Sequence, residues 1–175
     1  MRPNKQISVR RIKIGEGSLY KKMRLASLAD SPSAFTTTFE SASNRSLDSW
    51  KLQADSTAVG TDRVTIFAFD KDEPVGIAAL YRDDQKKDSG EVIQFWVDPV
   101  HRGGLIAGKL IEWIFSWASK HNFECLSVLV SNGNKRAIRF YKKYGFELTD
   151  ETKPFRPGSD LVSCLMTKQI RIDKE

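Results

Sequence analysis

The stretch Val97-Asp98-Pro99-Val100-His101-Arg102-Gly103-Gly104-Leu105-Ile106-Ala107-Gly108-Lys109-Leu110-Ile111 reads as a strand end, a tight basic and glycine-rich turn, and the start of a helix. A helix that opens on glycines leaves its first backbone N–H groups without intrahelical acceptors, and its dipole adds positive potential there. The chemistry such a turn can do is to hold a pyrophosphate. A second cluster lies downstream. Asn134 stands where a helix cap belongs, ahead of an apolar stripe of Ala137, Ile138, Phe140, Tyr141 and Tyr144, and Gly145 ends the helix. The opposite face of that helix carries Lys135, Arg136, Arg139, Lys142 and Lys143. Upstream, Glu91 follows Gly90 at the head of a strand that runs into the glycine turn.

The elements that must position these groups follow from hydrophobic periodicity. Ser8 to Ile12 predicts a first strand. Ser18 to Ala29, with Leu19, Met23, Leu25 and Leu28, predicts a helix broken by Asp30-Ser31-Pro32-Ser33. A weaker helix spans Leu47 to Ala54. Val64 to Asp70 and Val75 to Tyr81 form a hairpin over the turn Lys71 to Pro74, and Arg82 to Gly90 is a polar loop. Glu91 to Val97 is almost continuously apolar, as in a central strand buried on both faces. The helix after the glycine turn buries Ile106, Leu110, Trp113, Ile114 and Trp117. Phe123 to Val130, Phe146 to Thr149 and Leu161 to Gln169 are the remaining strands, the last two separated by the loop Asp150 to Asp160. This order predicts a single α/β (α+β) domain over residues 1–175 with one parallel crossover.

At 175 residues and 40% hydrophobic composition, the chain suffices for one proper core. No apolar run reaches the ~20 residues of a membrane helix, and Met1 to Gln6 has no apolar signal region. Cys125 and Cys164 lie in strand-like apolar segments and read as buried free thiols in a reducing cytoplasm. The net charge of +6 favours an anionic partner: nucleic acid, a membrane surface or a polyphosphate cofactor. Without an aromatic–basic interleave, the charge alone is a poor argument for nucleic acid. His101 and His121 have no third ligand at useful spacing, so no metal site is predicted, and His101 reads as electrostatics of its loop.

Two motifs carry a family resemblance. The turn from Val97 to Ala107 resembles the acyl-CoA pyrophosphate loop of the GNAT superfamily of acetyl-CoA-dependent N-acetyltransferases. The run Asn134-x-x-Ala137-Ile138-x-Phe140-Tyr141-x-Lys143-x-Gly145-Phe146 resembles that superfamily's second signature. The resemblance covers Val64 to Phe146, and the segment Arg24 to Phe35 is similar to a bacterial subgroup of largely unassigned substrate. It implies a mixed sheet of six to seven strands flanked by about four helices. Acetyl-CoA is then expected in the cleft where strand 91–97 splays from strand 123–130. The implied cofactor contacts are the backbone of Trp96 and Val97 for the pantetheine, as in strand addition. The N–H groups of Arg102, Gly103, Gly104, Leu105, Ile106 and Ala107, followed by Gly108 and Lys109, would hold the pyrophosphate. Asn134 and Lys143 complete the set.

Leu105 departs from the family pattern, which has glycine there. Its N–H remains available, and its side chain is expected to point away from the phosphates into the fold. The resemblance also implies roles in catalysis. Tyr141 stands as the acid for the departing thiolate or as a core tyrosine. Glu91 stands as the general base or as a solvated residue at a loop–strand junction. The basic face of residues 135–143 is either a solvated helix face or a contact for the adenosine phosphates.

The acceptor pocket is expected from the Ser31–Phe35 loop, the second helix and the Asp150–Asp160 loop, where Phe35, Phe39, Trp50, Phe155, Glu40, Asp48 and Asp160 offer aromatic faces and carboxylates to a cationic amine. The function implied is transfer of acetyl from acetyl-CoA to a primary amine of a small molecule, by direct attack in a ternary complex, in a cytoplasmic monomer or homodimer. A protein lysine or N-terminal amine is the alternative acceptor. A catalytically silent acyl-CoA-binding domain is the rival from another class.

Overall fold

A computed structural model describes residues 6–171; Met1 to Lys5 of the opening segment fall outside it. Strands β1 (Ile7–Arg11), β2 (Arg63–Asp70), β3 (Glu73–Arg82), β4 (Ser89–Val97), β5 (Cys125–Ser131), β6 (Glu147–Pro154) and β7 (Val162–Gln169) form one sheet in the order β1-β2-β3-β4-β5-β7-β6. Every neighbouring pair is antiparallel except β4 with β5. Helices α1 (Gly17–Asp30), α2 (Phe39–Ser43), α3 (Leu47–Ala58), α4 (Ile106–Lys120) and α5 (Lys135–Lys143) complete it. The mixed sheet and its single parallel step agree with the sequence reading.

Strand alternation divides the core in two. Val64, Ile66 and Ala68 of β2 face α4 and α5, together with Ile106, Leu110, Ile111, Ile114 and Tyr141. Phe67 and Phe69 face α1 and α3, together with Tyr20, Met23, Leu28, Trp50 and Ala54. Each fully buried large apolar side chain contributes about 1.5–3 kcal/mol, so the rows on α4 fix that helix against the sheet. Trp113, expected in the row, is only half-buried and lies at its margin.

The structure alters several sequence expectations. Phe39–Ser43 is a short helix, capped by the Thr38 hydroxyl, which accepts from Ser41 N–H at 3.1 Å. A five-residue helix is too short to show a periodicity. Residues 150–154 continue β6 instead of entering a loop. Their polarity misled the reading, because β6 is the edge strand and almost wholly exposed. The cysteines are free but half-buried, Cys125 at the open head of β5 and Cys164 against the Asn132 side chain. No helix among the described residues is long and apolar enough to cross a membrane.

One irregularity shapes the cleft. Opposite β3, residues Ile93 and Trp96 pair with Ala79 and Ile77, so β4 carries one extra residue, and Gln94 there adopts φ +56°. A bulge reverses the alternation beyond it. Val92 therefore faces the α4 layer while Trp96 faces the α1 layer. β4 also touches β5 only from Ser89 to Glu91, so the two parallel strands diverge toward the glycine turn.

Candidate active site

The divergence of β4 from β5 opens a cleft with two cavities. The larger, of about 460 Å³, runs from Phe95, Trp96 and Val97 past Gly103, Gly104, Ala107 and Gly108 to Lys143 and Tyr144. The smaller, of about 260 Å³, lies between Arg24, the loop Ala34–Thr37, β4 from Glu91 to Phe95, and β5 from Val128 to Ser131. Phe35, Phe95, Asn134, Ala137 and Tyr141 line both and form the wall between them.

The glycine turn enters through a single turn of 3₁₀ helix at Pro99–His101, capped by Asp98, and Gly103 takes φ +77°, which glycine reaches without strain. The N–H groups of Gly103 to Gly108 have no acceptor among the described residues. Six unpaired donors thus stand at the start of a 15-residue helix, an arrangement able to receive an anion. The N–H groups at either end of the sequence-derived set are occupied, since Arg102 N donates to Pro99 O at 3.3 Å and Lys109 N to Leu105 O at 3.0 Å. Ile106 is buried in the core, and its N–H is one of the six without an acceptor.

Leu105 corrects an expectation: its side chain is 74% exposed and does not enter the fold. It holds the N-cap position, one residue before the buried row of Ile106, Leu110 and Ile111, and so projects from the outer side of α4. Three residues on, a Cβ at Gly108 would run against the Tyr144 hydroxyl, which covers the first turn of α4, so a side chain there would have to displace that phenol.

The Arg102 side chain is also committed within the chain. Its Nε donates to the Val97 carbonyl at 2.9 Å and its Nη2 to Asp30. Asp30 further accepts from Trp96 Nε1 at 2.9 Å and from the Ser31 hydroxyl at 2.6 Å. Burial pushes the Asp30 carboxyl up, but the donors from Ser31, Trp96 and Arg102 outweigh it and hold it below the usual carboxylate range. Asp30 thus ties the end of α1 to the end of β4. The sequence reading treated it as a helix breaker only. His101 lies between Asp70 and Asp98, each 3.5 Å away, and borders the larger cavity.

Asn134 caps α5, its Oδ1 accepting from Ala137 N–H at 3.1 Å. Tyr141 is the buried residue of α5, boxed by Phe95, Phe140 and Phe146 at ring distances of 6.0, 5.2 and 5.3 Å. Burial pushes its phenol well above the ordinary range, and its hydroxyl has no hydrogen-bond partner among the described residues. A phenol in that setting stays neutral and keeps its proton available as a donor. Glu91 borders the smaller cavity. Burial pushes its carboxyl up, Lys153 pulls it down, and Asp83 adds to the rise. Lys143 and Arg136, from the exposed basic face of α5, border the larger cavity.

Most residues proposed for an acceptor pocket lie elsewhere. Trp50 is core, stacked edge-on with Tyr20 at 5.4 Å, and Phe155 is buried. Phe39, Glu40, Asp48 and Asp160 do not border either cavity. Only Phe35 of that set does, while the loop after β6 acts indirectly. Arg156 donates to the carbonyls of Pro32 and Phe35 at 2.7 Å and of Thr36 at 3.0 Å, holding the loop that bears Phe35. No group of metal-ligating side chains occurs among the described residues.

Comparison with known proteins fits this geometry. The model of the acetyltransferase (GNAT) family matches residues 26–146. An uncharacterized N-acetyltransferase of Methanocaldococcus jannaschii is 33% identical over 85 residues, which is 46% of this chain and 38% of the archaeal protein. The match therefore spans well under half the length of that relative. Among solved structures, a GNAT-family acetyltransferase of Streptococcus pneumoniae superposes with a TM-score of 0.80 at 16% identity, over 95% of this chain and 100% of the other. The YncA acetyltransferase of Salmonella typhimurium, solved with acetyl-CoA, superposes with a TM-score of 0.78 at 14% identity, over 97% of both chains. At those identities the likeness is one of fold. With the family match extending over both motifs and the cleft between them, this chain belongs to the acetyltransferase (GNAT) family.

Proposed function

We propose that the chain transfers the acetyl group of acetyl-CoA to a primary amine of a small molecule by direct attack in a ternary complex. The observation that carries this reading is the meeting of two cavities at Tyr141, one beside six free backbone donors and one bordered by Glu91. The larger cavity is the acetyl-CoA site. Gly103 to Gly108 bind the pyrophosphate through their N–H groups, and the unpaired edge of β4 near Trp96 and Val97 lines the pantetheine arm. Lys143 and Asn134 border the same site. Acetyl-CoA supplies an acetyl group activated as a thioester.

Each protein group then has one proton to manage. Glu91 accepts a proton from the attacking amine, a role suited to a carboxylate whose basicity burial has raised. As the new C–N bond forms and the C–S bond breaks, Tyr141 donates its proton to the departing sulfur. Phenolate is costly in that buried place, so the proton is regained from solvent or product before the next turnover. The 260 Å³ acceptor cavity lies below the range of about 300–1,000 Å³ common for drug-sized ligands, which favours a small amine over a folded protein segment.

Calorimetric titration with acetyl-CoA and CoA, followed by a thiol-release assay over a panel of amines, tests the proposal. Saturable acetyl-CoA binding and amine-dependent release are expected. Binding without release on any amine would leave a silent acyl-CoA-binding domain instead.

A further inference from the structure

Arg24 is the only charged residue in the buried interior among those described, at 5% exposure. It projects from α1 into the wall of the smaller cavity. Of its five N–H donors, the structure uses Nη1, which donates to the Ser27 hydroxyl at 3.1 Å. The Phe35 ring covers the guanidinium at 5.1 Å. Its titratable neighbours are Tyr20, Tyr81 and Arg45, two phenols and a second guanidinium, with no carboxyl group among them.

Several other arginines are matched by carboxylates or by a set of backbone carbonyls. Arg10 pairs with Glu16 at 2.7 Å, Arg82 with Asp62 at 3.0 Å, and Arg102 with Asp30. Arg11 donates to the carbonyls of Thr57, Val59, Gly60 and Arg63. No carboxylate approaches Arg24 within ion-pair distance among the described residues. A buried cation without a counter-charge is costly to keep, and a cavity wall is where a ligand can supply the missing partner.

We propose that Arg24 is a specificity-determining residue and that the acceptor is a primary amine bearing its own carboxylate, received by the free fork of the guanidinium. The planar fork matches a carboxylate with two parallel hydrogen bonds. Glu91 borders the same cavity, and the two groups form no ion pair with each other. The cavity is therefore lined by a cation and an anion at separate places, which a zwitterion complements: carboxylate toward Arg24, amine toward Glu91. Thr36 and Thr37 add hydroxyls beside the aromatic walls of Phe35 and Phe95. This inference rests on the acetyl-transfer reading above.

The test compares matched amines, each amino acid against its own amide, in the thiol-release assay. Wild-type protein is expected to favour the acid by roughly 10- to 100-fold in kcat/KM, the range of one charge-assisted hydrogen-bonded pair. In Arg24→Gln that preference falls to near one, chiefly through KM, and Arg24→Lys restores part of it. Acetyl-CoA titration serves as the folding control for both variants. Equal use of acid and amide by the wild type, or an undiminished preference in folded Arg24→Gln, would overturn the inference. Should acetyl-CoA bind while no amine releases thiol, the acetyl-transfer reading fails by itself. Calorimetry of the same amino acids against CoA-loaded protein then decides: heat that vanishes in Arg24→Gln upholds the carboxylate site, and no heat in the wild type overturns it.

Discussion

The two cavities of the cleft differ in how they are made. The larger takes nearly all of its wall from residues 95–144, one stretch of chain, and offers an anion chiefly backbone N–H groups. The smaller gathers Arg24, the loop at 34–37, two strands and a helix, and meets its ligand with side chains. Backbone donors are set by turn geometry and tolerate side-chain change, whereas a side-chain pocket is only as good as the distant elements that aim it. The difference predicts that substitutions will separate the two halves, some striking the reaction where the cavities meet, others one cavity alone.

The largest effect belongs to the shared wall. Tyr141→Phe removes one hydroxyl from a residue whose ring is boxed by Phe95, Phe140 and Phe146. Turnover is expected to fall roughly 100-fold or more, the usual contribution of a positioned general acid, while acetyl-CoA affinity by calorimetry stays nearly unchanged. Undiminished turnover in the phenylalanine variant would assign Tyr141 to the core. Next is Glu91→Gln, expected to lower kcat/KM by about 100-fold at neutral pH. The sign with pH follows from burial. Glu91 must be ionised to accept a proton, and its carboxyl is pushed above the usual range, so wild-type activity is lost as pH falls through that raised value. The glutamine variant should lack this limb, and the difference between the two profiles isolates it from protonation of the amine itself. Identical profiles would show that Glu91 is not the base.

The same contrast explains what the sequence disclosed. Most of the sheet, α4, α5 and the glycine turn were legible because their signals are local: period-2 and period-3.6 patterns, a capping Asn134, a terminating Gly145. The bulge at Gln94 was not, since a register shift depends on the partner strand, although a glutamine in an otherwise apolar run marks the place. On α1 the reading followed Leu19, Met23, Leu25 and Leu28, of which Met23 and Leu28 lie on the buried face, and it missed Tyr20, Arg24 and Ser27 beside them. Leucine was weighted over position, which hid Arg24. Asp30 was hidden too, because its three donors come from Ser31, Trp96 and Arg102, two of them more than sixty residues away. Trp50 and Phe155 were drawn to the acceptor side as aromatic residues in variable segments, but large aromatic side chains usually serve a core, as these do.

A moderate effect is expected where the smaller cavity is held from outside. Arg156→Ala removes three hydrogen bonds to the carbonyls of Pro32, Phe35 and Thr36. That loop contributes Ala34 through Thr37 to the smaller cavity but only Ser31, Ala34 and Phe35 to the larger. The KM for the amine should therefore rise about tenfold, the equivalent of one or two lost hydrogen bonds. The Kd for acetyl-CoA should shift less. Equal loss on both sides would mean that the loop serves the cleft as one unit and that the two cavities are not independent.

The smallest effect is expected at the position where the sequence departs most visibly from its family. Leu105 holds an N-cap site and is 74% exposed, and its N–H, like those of its neighbours in the turn, has no acceptor among the described residues. Leu105→Gly keeps that donor and removes only a solvated side chain. Stability should change by no more than about 0.5 kcal/mol, as is usual for a surface substitution, and acetyl-CoA affinity by less than about twofold. A large gain in affinity on substitution would show that the leucine obstructs the site. The expected near-silence has a cause in the way the turn binds: glycine's absent side chain matters where the backbone turns left-handed, at Gly103, or where another group closes in, as Tyr144 does on Gly108. Between those two positions the turn needs only N–H groups, which leucine supplies as well as glycine does.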